Sequence, residues 1–140
     1  MANPRVVADT NVLVAAVIAP AGVCGRLLTA ALDGRWTIVA SPVLLAELSE
    51  VLQRRKFRRW ISADEAAEFT AAIRQVVELY ADPPNPPAVT ADPDDDYLVA
   101  LAVAAEVSAI VSGDPHLTAP ARELPVTVLT PAELLASLDD

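Results

Sequence analysis

With 140 residues the chain fits one domain, a size at which roughly 70% of the unfolded surface is buried on folding without metal or disulfide staples. Hydrophobic residues make up 54% and aromatic ones only 4%, which excludes a disordered chain and leaves a core of Ala, Val, Leu and Ile. The lone cysteine, Cys24, excludes a disulfide framework or a thiolate metal cluster and suits a reducing, cytoplasmic setting. The net charge of −9 excludes a uniformly basic nucleic-acid surface, yet the charge is segregated, with Arg54, Arg55, Lys56, Arg58 and Arg59 at one pole and Asp92, Asp94, Asp95 and Asp96 at another.

The first β-rich segment is 5–8, ending at Asp9-Thr10-Asn11. Arg5 followed by the apolar stretch 12–21 loosely imitates a secretory leader, but Asp9 interrupts it. No apolar run reaches the ~18 residues that span a bilayer, so no membrane association is expected. A second strand at 37–40 leads into Ser41-Pro42, a capping serine and a first-turn proline opening a helix with the stripe Leu44, Leu45, Leu48, Val51, Leu52. Ser62-Ala-Asp-Glu65 is a capping box for a helix reaching at least Val76. The prolines of 83–87 form a connector too short to divide two domains, so 1–140 is read as one domain. From Tyr97 to Ala105 the chain is apolar all round, which predicts a buried helix, with Ala100 and Ala104 allowing close approach to a sheet. Strands at 109–112 and 126–129 follow, and Thr130-Pro-Ala-Glu133 is a second capping box, opening a terminal helix.

Strands alternating with helices predict an α/β fold with a mostly parallel sheet, and the apolar runs Val6-Val7-Ala8 and Ile38-Val39-Ala40 suit strands covered on both faces. In such folds ligands sit beyond the carboxyl ends of the strands. Every predicted strand exits into a polar group: Asp9 to Asn11, Ser41, Ser112 to Asp114, and Thr130.

Four acids carry the chemistry. Asp9 ends the first strand, where capping the next helix is its ordinary explanation. Glu47 lies at the margin of a buried helical stripe, where a carboxylate is costly unless it is paired or binds a metal; an ordinary rim position is the alternative. Asp96 begins the buried helix, where the macrodipole alone favours an acid by about 0.3 to 1 kcal/mol. Asp114 follows Ser112-Gly113 in what is otherwise a common turn. Converging on one cleft, the four would repel one another and require a cation. An all-oxygen site selects Mg²⁺ or Mn²⁺ rather than Zn²⁺, and the matching reaction is phosphodiester hydrolysis. Asp92, Asp94 and Asp95 read as solvated turn residues without an assigned role, and His116 as a loop histidine within reach of the same cleft.

The blocks Val6 to Leu13, Ser41 to Leu48, Asp92 to Ala102 and Val111 to Leu117 resemble, in order and over nearly the whole chain, the four motif blocks of the PIN-domain family, in particular its VapC-like toxin components of toxin-antitoxin systems. The resemblance implies a three-layer α/β/α sandwich and metal-binding, catalytic acids at Asp9, Glu47, Asp96 and Asp114, supported by Asn11 and Ser112. It also implies Mg²⁺- or Mn²⁺-dependent cleavage of RNA, often in a homodimer, with inhibition by a cognate antitoxin protein. Relatives often carry a further acid or Asn just after the fourth acid, where this chain has Pro115 and His116; the departure bears on a second metal, not on the first. Arg54, Arg55, Lys56 and Arg58 are candidate RNA contacts, with a solvated helix end as the alternative. Phosphatases of the haloacid-dehalogenase type want a second Asp where Asn11 stands, and phospho-receivers want a lysine that no strand supplies. The other reading carried forward is a PIN-fold protein with little turnover that binds RNA or a partner.

Overall fold

The computed structural model describes residues 3–84, 88, 92–120 and 123–139. Five parallel strands form one sheet in the order β3-β2-β1-β4-β5: β1 Arg5–Ala8, β2 Thr37–Ala40, β3 Glu78–Leu79, β4 Ala109–Val111 and β5 Val128–Leu129. The helices are α1 Thr10–Ile18, α2 Val23–Leu32, α3 Pro42–Leu52, α4 Ala63–Val76, α5 Pro93–Ala104, α6 Pro115–Thr118 and α7 Pro131–Leu138, with a 3₁₀ turn at Arg55–Phe57. Successive side chains of a strand point to opposite faces, and Val6, Val7, Ala8, Ile38, Val39 and Ala40 are all buried. Both faces of the sheet are therefore covered, as an α/β sandwich requires.

The chain walks outward from β1 through β2 to β3, then crosses back to lay β4 and β5 on the other side of β1. The order reverses between β1 and β4, and at such a switch point the two outgoing loops part to leave a crevice. Asp9 leaves β1 there, and Ser112 to Asp114 leave β4. Ser41 and Thr130 cap α3 and α7 through their hydroxyls, as their sequence contexts predict, and Ser62 and Thr130 each close a full capping box.

Three expectations change. Strand β3 was not foreseen: it has two residues, both exposed, so it carries no apolar run, and it is held by backbone pairing with β2 and by the ion pair of Glu78 with Arg5 of β1. The last strand is shorter than 126–129, beginning only at Val128. Helix α5 is not buried all round, since Val103 is 48% exposed and Ala104 is exposed as well. Its buried apolar residues are Leu98, Val99, Leu101 and Ala102, with Ala105 at its C-cap; the helix packs on β1 and β4, and the small residues buried there are Ala102 and Ala105, not Ala100 and Ala104. Of the proline connector, residues 85–87 lie outside the described residues.

No single helix among the described residues is long and apolar enough to cross a membrane; α1 and α2 together are apolar, but they meet at 102°. Gly25 makes that corner possible, because a Cβ there would stand 1.9 Å from the Pro20 carbonyl oxygen.

Candidate active site

The β1 and β4 exits are joined by a serine. Ser112 is fully buried; its hydroxyl donates to Asp9 Oδ2 at 2.8 Å and accepts from the Asp114 backbone N–H at 3.0 Å. The Asp9 backbone N–H donates to Val111 O at 3.0 Å, which extends the β1–β4 ladder to the base of the acid. Asp9 Oδ1 accepts from the Asn11 backbone N–H at 3.3 Å, capping α1. Capping and a role in the cleft are thus compatible, since a carboxylate offers about four lone-pair sites. Asn11 is exposed at the rim, and its backbone N–H makes this capping bond.

Opposite these loops stand α3 and α5. Asp9, Glu47, Asp92, Asp94, Asp95 and Asp114 surround one cavity of about 100 Å³, floored by Leu44 and Leu98. The sequence placed Asp9, Glu47 and Asp114 in one cleft, and the structure brings those three together. Asp96, predicted to join them, is buried in the first turn of α5 but does not line the cavity; its neighbour Asp95 does. The cause is helical phase. Asp95 lies three and seven residues before Leu98 and Ala102, both buried; Asp96 lies three before the buried Val99 and seven before the exposed Val103, nearer the margin of the buried face.

Asp95 is 4% exposed, and its Oδ2 has no hydrogen-bond partner among the described residues. Burial, with repulsion from Asp114, Asp92 and Asp9, pushes its carboxyl up to about 7. Asp114 moves the other way, held below the usual carboxylate range by the His116 backbone N–H at 2.9 Å and by the His116 ring, whose Nδ1 is 3.0 Å from the same oxygen. Of this close pair, Asp95 therefore keeps the proton and Asp114 the charge. Burial also raises Asp9, against the Ser112 and Asn11 hydrogen bonds. Glu47 is half-buried and raised by burial and by Asp94, Asp9 and Glu50, with Arg54 partly offsetting them.

The two helices are tied together at their first turns. The Tyr97 hydroxyl of α5 donates to Asp82 and bonds the Ser41 hydroxyl at the start of α3, while Asp82 also accepts from the Val43 backbone N–H at 3.2 Å. Burial and the Asp82 contact push the Tyr97 phenol up to about 12, so it stays a donor across the physiological range. The tie fixes the elements that carry Glu47 and Asp95, and its geometry across 56 residues of sequence is not written in any local pattern.

The donor set fits a hard divalent cation. Ligand atoms of Asp95, Asp114 and His116 lie within 4.8 Å of one another, five further acids line the same cavity as Asp95, and oxygen donors dominate. A cation would remove the repulsion that now raises three of the acids.

The sequence pattern of the family described as PIN domain matches residues 5–116. The chain belongs to the PIN domain family. All of the lining acids fall within the matched segment. A solved structure of similar fold is VapBC2 from Rickettsia felis, crystallised bound to a DNA fragment from its promoter; at a TM-score of 0.63 the match covers 90% of this chain and 98% of that one, with 14% identity. At that identity the likeness establishes the PIN fold of this chain, and with it the α/β sandwich. No curated protein sequence matches.

The basic segment of this PIN domain divides in two. Arg54, Arg55, Lys56 and Arg59 are exposed; Arg54 pairs with Glu50 at 3.4 Å, and Lys56 and Arg59 lie over the rings of Phe57 and Trp60. Arg58, read from sequence as a candidate RNA contact, is instead half-buried, and its guanidinium donates to the carbonyls of Leu52, the last residue of α3, and of Arg54, which precedes the 3₁₀ turn. The Leu52 carbonyl ends α3, where helix carbonyls lack an intrahelical partner, and Arg58 supplies one; the Arg54 carbonyl also accepts from the Phe57 backbone N–H. Phe57 is buried and Trp60 exposed.

Proposed function

We propose that this PIN domain is a divalent-metal-dependent endoribonuclease, using Mg²⁺ or Mn²⁺, and the toxin of a toxin-antitoxin pair. The observation that carries the reading is the buried, unpartnered oxygen of Asp95 among five further acids at the switch point of the sheet. Six acids around about 100 Å³ are costly unless a cation is shared between them, since burying unpaired charge is among the most expensive acts in folding. Asp9, Asp95, Asp114 and Glu47 would hold the ion. When bound, such an ion neutralises a phosphoryl oxygen and lowers the pKa of water.

The chain's own groups do the rest. Ser112 orients Asp9 and the Asp114 loop at once, so the two strand-end acids move as a unit. His116 holds Asp114 charged. Glu47 brings the acid of α3 to the ring opposite the strand-end pair. Asp96, assigned a metal-binding role from sequence, gives place to Asp95 in this scheme. Arg54 and Arg55, exposed just beyond the C-terminus of the helix that carries Glu47, would contact the phosphates of a longer RNA, a reading supported by the coulombic effect of Arg54 on Glu47. A cognate antitoxin, by analogy with the VapBC2 complex, and a homodimer, which the family resemblance implies, complete the proposal.

The test is turnover of an RNA panel in Mn²⁺ by the wild type and by Asp9→Asn and Asp95→Asn. Cleavage by the wild type alone supports the reading. RNA bound equally by all three and cut by none replaces it with a binding protein of PIN fold.

A further inference from the structure

We propose that the apolar groove beside the acid cavity, walled by α1, α2, α6 and α7, seats the nucleobase flanking the scissile phosphate. This rests on the acids being a phosphodiesterase site. The groove has a volume of about 390 Å³, within the range of roughly 300–1,000 Å³ typical of small-ligand sites. Its wall is built by Val12 and Ala15 of α1, Cys24 of α2, Pro115 of α6 and Pro131 of α7. Asp9 and Asp114 line both this groove and the acid cavity, so the two spaces meet at the strand-end acids. A phosphate held there brings its own neighbouring nucleoside to the groove without any further chain.

The chemistry of the wall favours a base over a second phosphate. Among the described residues no Lys or Arg lines it, so a phosphate would find no counter-charge, whereas a flat ring gains by leaving water. Asn11, exposed on the rim, offers a donor and an acceptor to a base edge. Bases within a duplex cannot enter such a groove, and splayed single-stranded ones can. A protein side chain would also suit an apolar wall, but it would have to lay its backbone across acids that a phosphodiester reaches through its own metal-held phosphate.

Cys24 makes the proposal measurable. It is the chain's single cysteine, half-buried in the wall, and burial pushes its thiol up, so its alkylation is slow and sensitive to cover. Wild-type protein is treated with iodoacetamide in Ca²⁺, which oxygen ligands accept in looser geometry than Mg²⁺, and modification of Cys24 is followed by mass. The probes are tetrauridylate, the same backbone bearing abasic tetrahydrofuran units, and a leucine-rich peptide. Tetrauridylate is expected to slow alkylation at least about tenfold while the abasic strand leaves it unchanged, a contrast of the size hydrophobic pockets give. Equal slowing by the abasic strand overturns the proposal, and protection by the peptide alone transfers the groove to a protein partner. Ala15→Leu, which narrows the groove away from the acids, should raise KM for RNA about tenfold with kcat retained; an unchanged KM overturns the proposal too. Absence of RNA cleavage in Mn²⁺ would count against the nuclease reading alone, because Cys24 protection is read in Ca²⁺ without turnover.

Discussion

Replacing Asp95 by Asn should make the metal-free protein more stable while removing its function. The carboxyl of Asp95 rises from an ordinary 3.8 to about 7 because burial and three neighbouring acids oppose its charge. Between those values the folded protein holds a proton that the unfolded chain has lost, so stability falls as pH rises through that window. Carrying a carboxyl from 3.8 to about 7 corresponds to at most about 4 kcal/mol, and sharing of the proton with Asp114 reduces this to roughly half. Asn is neutral at every pH and its amide can donate to Asp114 as the protonated acid does. In urea denaturation without metal, Asp95→Asn should therefore exceed the wild type by about 1 to 3 kcal/mol near pH 8, with the gap closing toward pH 4. Saturating Mn²⁺ should stabilise the wild type far more than the variant. A variant less stable than the wild type at all pH values, or a gap independent of pH, would refute the placement of Asp95 among uncompensated acids.

Ser112→Ala removes a buried hydroxyl that serves Asp9 and the Asp114 N–H together; leaving both unsatisfied should cost about 2 to 4 kcal/mol by denaturation, and should raise the Asp9 pKa further, as seen in carboxyl ¹³C shifts. Gly25→Ala would press a Cβ to 1.9 Å from the Pro20 carbonyl oxygen, so the α1–α2 corner must open, at a cost of about 3 kcal/mol or more in thermal unfolding. Arg55→Ala should leave stability within about 0.5 kcal/mol while weakening RNA binding and lowering its salt slope by about one. Arg58→Ala should instead destabilise the fold, because its guanidinium serves the Leu52 and Arg54 carbonyls, and should leave the salt slope of RNA binding unchanged.

The parallel sheet, the caps at Ser41, Ser62 and Thr130 and the convergence of Asp9, Glu47 and Asp114 were legible because each depends on local chemistry: an apolar run, a capping residue, an acid at a strand exit. Strand β3 was not, because Glu78 and Leu79 are exposed and owe their conformation to pairing with β2. The choice between Asp95 and Asp96 turned on helical phase. A run of apolar residues all round α5 hides its buried face, and only the sheet beneath reveals that Leu98 and Ala102, rather than Ala100 and Val103, point inward. Charge at 54–59 was read as one patch, but whether an arginine faces water or the carbonyl end of a helix depends on how the chain turns, here through the 3₁₀ turn at Arg55–Phe57. The groove at Cys24 joins α1, α2, α6 and α7, elements far apart in sequence, and no local pattern marks it.

The account stands or falls on whether these acids collect a hard divalent cation, and titration of Mn²⁺ by calorimetry into the wild type, Asp9→Asn, Asp95→Asn and Asp96→Asn measures that directly. Binding to the wild type with release of protons, lost in Asp9→Asn and Asp95→Asn and retained in Asp96→Asn, is the predicted result. Equal affinity in the wild type and Asp95→Asn, or no binding by the wild type, would contradict it.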